Sequence, residues 1–291
     1  MPAPINRRSV FPLKFSTGRE VYTFCKLGPD HVQRKIAPMN KFLSALFAIY
    51  FFSSCAFFVC ISALTCLFTA PFDPRRRAVH AFSCWWGFHY FQINPFWKLS
   101  YEGVENIKPD KTYVLIANHQ SLADILVVYG LHKRFKWISK ESIYKVPFIG
   151  WNMALNQDVL LRRGDIKSIR EMMDTCRDWL KKDCSIMLFP EGTRSVDGEI
   201  QPFRDGAFRL AMDCGVDVVP IVIDGTFDLL PKGSSQLIFK KQIRIKVLPP
   251  VDCAPFKGSS GAMRTAVREQ MVQTLAEMRN QTKKIEPIKV G

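Results

Sequence analysis

The chain has 291 residues, of which 47% are hydrophobic and 23% are charged. These proportions are close to those of globular proteins, so they exclude a disordered protein and a transporter with many membrane spans. The 41 Lys and Arg residues outnumber the 26 Asp and Glu residues, which gives a formal net charge of +15. A surface of this charge attracts polyanions, among them phospholipid headgroups, a phosphorylated substrate and nucleic acid.

The cysteines and histidines give no sign of a disulfide framework or a metal site. The nine cysteines are odd in number, never form a Cys-x-x-Cys pair, and lie in part inside apolar stretches. This pattern favours a reducing compartment over a disulfide-bonded fold. Because His-Glu-x-x-His and paired-carboxylate motifs are also missing, we expect no metal ion.

In chain order, a basic N-terminal segment, residues 1–41, precedes a predicted membrane anchor, residues 42–100. The anchor begins with an uncharged run, Phe42–Ala70, which would measure about 44 Å as one helix. A bilayer core of about 30 Å needs roughly 20 residues, so the run is either one tilted span or a re-entrant pair of short helices. A cleaved signal peptide fits poorly, because the run begins far from the N-terminus and Pro71 follows it.

Basic residues flank the apolar run on both sides, including Lys41 before it and Arg75–Arg77 after it. The positive-inside rule then favours the cytoplasmic face for both ends. The next segment, Val79–Phe96, is rich in Trp, Phe and Tyr, which is typical of an interfacial helix, although a buried helix of the soluble domain is an alternative. We predict an anchor of two helices that dips into the membrane, with the catalytic domain on the cytoplasmic face.

Residues 101–291 alternate short apolar runs with amphipathic stretches, which is the pattern of an α/β fold. We expect a mixed, largely parallel sheet flanked by helices, preceded by the N-terminal helical anchor. A last helix repeats apolar residues from Met263 to Met278 at helical spacing, and we interpret this stripe as core packing. The predicted strands are Thr112–Ala117, Lys136–Ser139, Val159–Leu161, Ser185–Phe189, Val218–Ile223, Leu237–Phe239 and Ile243–Leu248, and the other predicted helices are Ser121–Tyr129, Ile166–Lys181 and Phe203–Asp213.

The first polar motif, NHQSLAD at residues 118–124, directly follows a predicted buried strand. His119 therefore lies at the carboxyl end of a strand, where α/β folds gather their ligand sites. If Ser121 caps the next helix, Asp124 lies in its first turn and can reach back to the imidazole. Such a pair can act as a general base on a hydroxyl group. A structural or capping role for His119 is the alternative, because the motif is short.

The second motif, FPEGTRS at residues 189–195, also follows a predicted strand. Pro190 ends the strand, Gly192 lets the backbone approach a ligand closely, and Arg194 offers a guanidinium that matches phosphate oxygens. Glu191 could orient that arginine or bind a substrate hydroxyl. A plain turn with a solvated charge pair is the alternative.

The two motifs in this order, about seventy residues apart, resemble the glycerolipid acyltransferases, specifically the 1-acylglycerol-3-phosphate O-acyltransferases. The resemblance runs from about Tyr101 to Leu248. It implies that His119 and Asp124 form the catalytic pair. It also implies that the acceptor phosphate site includes Glu191, Gly192, Thr193 and Arg194.

Two further blocks extend the resemblance. Residues 159–164 are similar to the block whose arginine holds the glycerol phosphate; Arg163 aligns best, although Arg162 stands where the family usually has an acidic residue. Lys140 stands where the family often has a basic phosphate contact. Pro220 and Gly225 match the block that shapes the acyl and acceptor pocket. Taken alone, Lys140 and Arg162 would be ordinary surface charges.

The resemblance implies acyl transfer from a thioester to the sn-2 hydroxyl of 1-acylglycerol-3-phosphate, giving phosphatidic acid. We expect no cofactor, with acyl-CoA or acyl carrier protein as co-substrate and membrane lipid as partner. Another lysophospholipid or glycerol 3-phosphate remains an alternative acceptor. A non-catalytic, membrane-bound anion-binding protein is an alternative of another class. We expect no nucleic-acid partner, because the basic residues are spread along the chain and match no nucleic-acid-binding module.

Overall fold

The computed structural model describes residues 38–230, 237–238, 241–256 and 258–285. Of the basic segment predicted at residues 1–41, residues 1–37 therefore lie outside the described residues.

A seven-stranded sheet forms the centre of the protein, in the order β1-β7-β6-β2-β5-β3-β4. Neighbouring strands are parallel except β6 and β7, so β7 and β1 run opposite to the other five. The predicted mixed, largely parallel sheet is thus confirmed. The strands are β1 (Trp97–Glu102), β2 (Val114–Ala117), β3 (Phe135–Lys140), β4 (Val159–Leu161), β5 (Ser185–Leu188), β6 (Val218–Asp224) and β7 (Lys241–Val247).

Helices cover both faces of the sheet and bury two apolar clusters. One cluster lies between the sheet and α2, α3 and α5, and the other lies between the sheet and α6, α7 and α9. All four residues of β2 are buried, as expected for a strand covered on both faces. The helices are α1 (Pro38–Thr69), α2 (Arg77–Gln92), α3 (Ala123–Tyr129), α4 (Glu141–Tyr144), α5 (Ile149–Leu155), α6 (Ile166–Lys181), α7 (Gly206–Cys214), α8 (Thr226–Leu229) and α9 (Ser260–Ile285).

Helix α9 presents the predicted methionine stripe to the sheet. Met263 and Met271 are completely buried, and Val267, Leu275 and Met278 are at most 5% exposed. Full burial of each such side chain contributes about 1.5–3 kcal/mol, so the stripe attaches the C-terminal helix firmly to the sheet. The interpretation of the stripe as core packing is confirmed.

Two strand assignments from the sequence were wrong. Strand β1 was not predicted, although its sequence, Trp-Lys-Leu-Ser-Tyr-Glu, alternates apolar and polar residues. The predicted domain boundary at residue 100 lies inside this strand. Conversely, Leu237 and Ile238 are not in a strand; Phe239 lies outside the described residues. The Leu237 N–H donates to the Ser44 hydroxyl at 3.0 Å, so it is not available to a sheet ladder.

Helix α1 is one uninterrupted helix of 32 residues, which excludes the re-entrant pair of short helices within this run. Its segment Lys41–Thr69 is long and apolar enough to cross a membrane. Cys55, Phe58 and Val59 pack against Trp86 and Tyr90 of α2. The opposite side leaves large apolar side chains exposed, including Phe42, Leu46, Ile49, Phe52, Phe57, Leu64, Leu67 and Phe68.

Helix α2 packs against α1 and α3, and half of its residues are buried. Trp86, Tyr90 and Phe91 are at most 5% exposed, whereas Trp85 is 44% exposed. Three of the seven Trp, Phe and Tyr residues between Val79 and Phe96 are therefore buried inside the protein, as the alternative interpretation proposed, whereas Trp85 and Phe96 are exposed.

Candidate active site

The two sequence motifs lie side by side because they follow neighbouring parallel strands. Strand β2 ends at Ala117 and pairs with β5, which ends at Leu188. The loops at residues 118–122 and 189–195 therefore leave the same edge of the sheet. The backbone N–H of Ser195 donates to the carbonyl of His119 at 2.7 Å, which joins one loop to the other.

His119 and Asp124 form the hydrogen-bonded pair that the sequence predicted. The His119 Nδ1 atom lies 2.8 Å from Asp124 Oδ2. The same oxygen accepts the backbone N–H groups of Gln120 at 2.6 Å and Ser121 at 2.8 Å. Because a carboxylate oxygen only accepts hydrogen bonds, Nδ1 carries the proton and Nε2 is the basic nitrogen.

The start of helix α3 holds this carboxylate in place. The helix begins at Ala123 and its N-cap residue is Leu122, not Ser121 as the sequence suggested. Asp124 still lies in the first turn, and its side chain is completely buried. The Ser121 hydroxyl accepts the Ala123 N–H at 3.3 Å and donates to the Leu230 carbonyl at 2.9 Å. The Ser121 hydroxyl therefore links the start of α3 to Leu230 and helps to hold the loop that carries His119.

The imidazole ring is also fixed from its face. It stacks on Phe189, with ring centroids 3.9 Å apart and an interplanar angle of 9°. Phe189 in turn stacks on Trp137 of β3, at 5.5 Å. The His119 side chain remains 14% exposed. Stacking and the Asp124 hydrogen bond together restrict the ring to one orientation.

Glu191 supports the backbone of His119. Its Oε1 atom accepts the His119 N–H at 2.7 Å, and its Oε2 atom accepts the Gln201 N–H at 3.0 Å. Burial raises the pKa of Glu191 to about 7, against the lowering effect of these two N–H groups. Both carboxylate oxygens are thus engaged with the protein, although the resemblance implied a role in the acceptor phosphate site.

Gly192, Thr193 and Arg194 continue the same loop. Thr193 is exposed and Arg194 is partly buried. Gly192 has a φ of 71°, and a Cβ atom there would lie 2.7 Å from the Nε atom of Arg204. The positive φ favours glycine here, and the Arg204 side chain would have to move to make room for a Cβ atom.

Two further predicted basic residues lie at the ends of the next strands along the same edge. Lys140 is the last residue of β3 and lies in register with Leu161, the last residue of β4. Arg162 bonds to Glu141 at 3.2 Å. Partial burial and the charge of Arg204 lower the pKa of Arg163.

Pro220 and Gly225 support the site from strand β6. Pro220 is buried and lies in register with Ile116 of β2. Gly225 has a φ of 92°, and a Cβ atom there would overlap the backbone oxygen of Gln242. The structure places both residues in the frame of the sheet, without a described contact to the His119 side chain.

Sequence analysis assigned no role to three residues that complete this region. The Asn118 side chain exchanges hydrogen bonds with the backbone of Ile223, at 2.9 and 2.8 Å. The Gln120 side chain donates to the Gly198 carbonyl at 2.9 Å. Arg204 is attached to the second motif through its N–H, which donates to the Pro190 carbonyl at 2.9 Å. Asn118 and Gln120 stand within the first motif, but no spacing in the sequence indicates Arg204.

Comparison with known proteins identifies the family of this chain. The family model described as Acyltransferase matches residues 98–224. The 1-acyl-sn-glycerol-3-phosphate acyltransferase LPAT1, chloroplastic, of Arabidopsis thaliana is 36% identical over 80% of this chain and 67% of its own length. The Saccharomyces cerevisiae 1-acyl-sn-glycerol-3-phosphate acyltransferase is 28% identical over 81% of this chain and 78% of its own length.

A solved structure shares the fold. The crystal structure of the 1-acyl-sn-glycerophosphate (LPA) acyltransferase PlsC from Thermotoga maritima matches with a TM-score of 0.69 and 29% identity, covering 83% of this chain and 98% of that chain. The residues matched by the family model include both motifs and the His119–Asp124 pair. The chain therefore belongs to the acyltransferase family, in the group of the 1-acyl-sn-glycerol-3-phosphate O-acyltransferases.

Proposed function

We propose that the protein transfers a fatty acyl group from acyl-CoA or acyl carrier protein to the sn-2 hydroxyl of 1-acylglycerol-3-phosphate, giving phosphatidic acid. The observation that carries this proposal is the 2.8 Å hydrogen bond between His119 and Asp124, in a loop that is joined to the FPEGTRS loop by the Ser195–His119 backbone bond. The relatives carry the name 1-acyl-sn-glycerol-3-phosphate acyltransferase, which supports the acceptor.

In the proposed mechanism, His119 acts as the general base. Its Nε2 atom accepts the proton of the acceptor hydroxyl while the hydroxyl oxygen attacks the thioester carbonyl carbon. Asp124 stabilises the imidazolium that forms. The C–S bond then breaks, and the imidazolium returns the proton to the leaving thiolate. General base catalysis of this kind typically accelerates a reaction about 10²- to 10⁴-fold.

The acyl group passes directly from donor to acceptor in this proposal. Among the described residues, Asp124 is the only side chain hydrogen-bonded to the His119 ring. A covalent acyl-enzyme would need a serine or cysteine beside that ring. The nearby Ser195 hydroxyl instead donates to Asp197 at 2.8 Å. Trapping of an acylated side chain during turnover would contradict direct transfer.

The acceptor phosphate binds the basic residues at the sheet edge, away from the reacting hydroxyl. Lys140, Arg163 and Arg194 are the predicted contacts. Because the phosphate does not react, its binding energy can orient the glycerol hydroxyl toward His119.

The catalytic domain is held at the membrane by α1 and faces the cytoplasm. The exposed apolar side of α1 supports contact with lipid, since exposed leucine and phenylalanine side chains of this number are unusual on a soluble surface. Basic residues flanking the helix support the cytoplasmic face.

The test uses the purified full chain in lipid vesicles with radiolabelled acyl-CoA and acyl carrier protein donors. The acceptors are 1-acylglycerol-3-phosphate, glycerol 3-phosphate and other lysophospholipids. We expect transfer to 1-acylglycerol-3-phosphate, and a loss of about 10²- to 10⁴-fold in kcat for His119→Ala. His132→Asn is the matched control, because His132 is exposed and lies outside the motifs. Unchanged activity of the His119→Ala protein would contradict the proposed mechanism, and preference for another acceptor would contradict the proposed substrate.

A further inference from the structure

The irregular loop between β5 and α7, residues 189–205, holds the backbone around His119. The Ser195 N–H donates to the His119 carbonyl at 2.7 Å, and the Gly198 carbonyl accepts the Gln120 side chain at 2.9 Å. Because such a loop lacks a hydrogen-bond ladder of its own, its carbonyl groups need partners from other elements. Those partners set where the loop lies, and the loop sets where His119 lies.

Arg268, on helix α9, binds this loop at two adjacent carbonyl groups. Its Nη2 atom donates to the Ile200 carbonyl at 2.7 Å, and its Nε atom donates to the Gln201 carbonyl at 3.1 Å. The Gln201 N–H donates in turn to Glu191, the carboxylate that accepts the His119 N–H at 2.7 Å. Arg268 is therefore connected to the His119 backbone through one loop residue and one carboxylate.

Arg279, about three helical turns further along α9, binds the loop at a second point. Its Nη2 atom donates to the Gly198 carbonyl at 2.7 Å, and the same oxygen accepts the Gln120 side chain. Its guanidinium also pairs with Glu199 at 2.6 Å and with Asp224, at the end of β6, at 3.2 Å. A single carbonyl oxygen thus joins helix α9 to the first motif.

Helix α9 is a firm support for these contacts, because its methionine stripe is buried against the sheet. The helix begins at Ser260, beyond the residues 98–224 that the family model matches. The planar guanidinium suits this task, since its donors point in fixed directions and can bind two carbonyl groups at once.

We propose that Arg268 and Arg279 are positioning residues for acyl transfer: they hold the loop against α9, and the loop holds the backbone of His119. A general base acts only within hydrogen-bond reach of the hydroxyl group, and a displacement of about 1 Å can lower the rate about 10²-fold. Neither arginine contacts the reacting atoms in this proposal. The inference rests on the proposed function and extends its machinery to the C-terminal helix.

The experiment removes the donors while keeping the apolar stem of each side chain. The variants are Arg268→Met and Arg279→Met, with Arg268→Lys as the conservative replacement. Arg177→Met is the matched control, because Arg177 joins α6 to α7 through Asp174 and Asp213 and is about as exposed as Arg279. Each full chain is assayed in the same lipid vesicles with radiolabelled donor, after urea denaturation has shown that it is folded.

We expect Arg268→Met and Arg279→Met to lower kcat about 10- to 100-fold with little change in the KM of either substrate. Arg268→Lys should recover part of kcat, because the amine can still donate to one carbonyl. Arg177→Met should keep the wild-type kcat even if it unfolds at a lower urea concentration. In the His119→Ala background, Arg268→Met should lower the residual activity little further, because the group that it positions is gone.

Three results would overturn this role while leaving the proposed function intact. One is a wild-type kcat in folded Arg268→Met and Arg279→Met proteins. Another is a rise in KM at unchanged kcat, which would assign the arginines to substrate binding. The third is an equal loss of activity from Arg268→Met with and without His119, which is the result of general structural damage. A wild-type protein that transfers no acyl group would instead contradict the proposed function itself.

Discussion

Glu191, in the second motif, contacts the proposed general base His119 through the backbone. Its two oxygens accept N–H groups from His119 and Gln201, on the two sides of the site. A phosphate placed against this buried carboxylate would be repelled. We therefore expect Glu191 to position His119, and the phosphate to bind the arginines instead.

Replacing Glu191 with glutamine tests this role. The glutamine oxygen can accept only one of the two N–H groups, and its NH2 group would face the other donor. We expect kcat to fall about 10-fold or more with little change in acceptor KM, and the free energy of unfolding to fall by about 1–3 kcal/mol. Steady-state kinetics and urea denaturation measure both, with the exposed Glu269→Gln as control. A large increase in acceptor KM at unchanged kcat would assign Glu191 to the phosphate site.

The raised pKa of Glu191 also predicts a pH dependence of stability. Burial raises the pKa from 4.5 to about 7 in the folded protein, so the folded state binds more protons than the unfolded state between these values. The free energy of unfolding should therefore fall as the pH rises from about 4.5 to 7, and change little from this cause above 7. Urea denaturation at a series of pH values measures it. The fall should be smaller for Glu191→Gln, and an identical fall in both proteins would contradict the assignment.

At the scale of residues, the sequence could predict a contact between two residues of one motif, but not a contact between residues that only folding brings together. His119 and Asp124 are five positions apart and face each other because a helix begins between them. Arg204 is near Gly192 only because its backbone bonds to Pro190. No local pattern encodes that hydrogen bond.

At the scale of elements, the buried central strands and the edge strand β4 were predictable, whereas strand β1 and the short helices α4 and α5 were not. Strands β2, β5 and β6 are continuous apolar runs, so their burial on both faces is visible in composition. Strand β1 lies at the sheet edge and alternates polar with apolar residues, and helices α4 and α5 are too short to show a helical period. Such elements depend on tertiary contacts more than on their own pattern.

A buried polar cluster joins α1, α2 and α5 and provides a test of how the anchor is attached. The Ser62 hydroxyl donates to Asn152 Oδ1 at 2.8 Å, and Asn152 Nδ2 donates to the Ser83 hydroxyl at 3.0 Å. Removing the Asn152 amide leaves two buried hydroxyl groups without this partner. We expect Asn152→Ala to lower the free energy of unfolding by about 1–3 kcal/mol.

A double-mutant cycle separates this coupling from general damage. Ser62→Ala and Asn152→Ala should be less than additive, with a coupling of about 0.5–3 kcal/mol, because both remove the same hydrogen bond. Ser53→Ala is the control, because the exposed Ser53 hydroxyl bonds only to its own helix, at the Ile49 carbonyl. Fully additive effects would show that the Ser62–Asn152 contact does not hold α1 to the domain.

At the scale of the whole molecule, α1 is attached to the catalytic domain at two distant points. Ser44 accepts a hydrogen bond from the Leu237 backbone, and Ser62 donates to Asn152. These residues are separated by a helical rise of about 27 Å, which is close to the thickness of a bilayer core of about 30 Å. A helix that crossed the membrane would place one of these contacts on the far side, away from the domain.

We therefore predict that α1 lies along the membrane surface with its exposed apolar side in the lipid, and that both chain termini are on the same side. With the catalytic domain outside sealed vesicles, a protease should remove an N-terminal tag as quickly as a C-terminal tag. Immunoblotting of the two tags before and after detergent measures this. An N-terminal tag that is cut only after detergent is added would mean that α1 crosses the bilayer, and the contacts of Ser44 and Ser62 could not then both exist in the membrane.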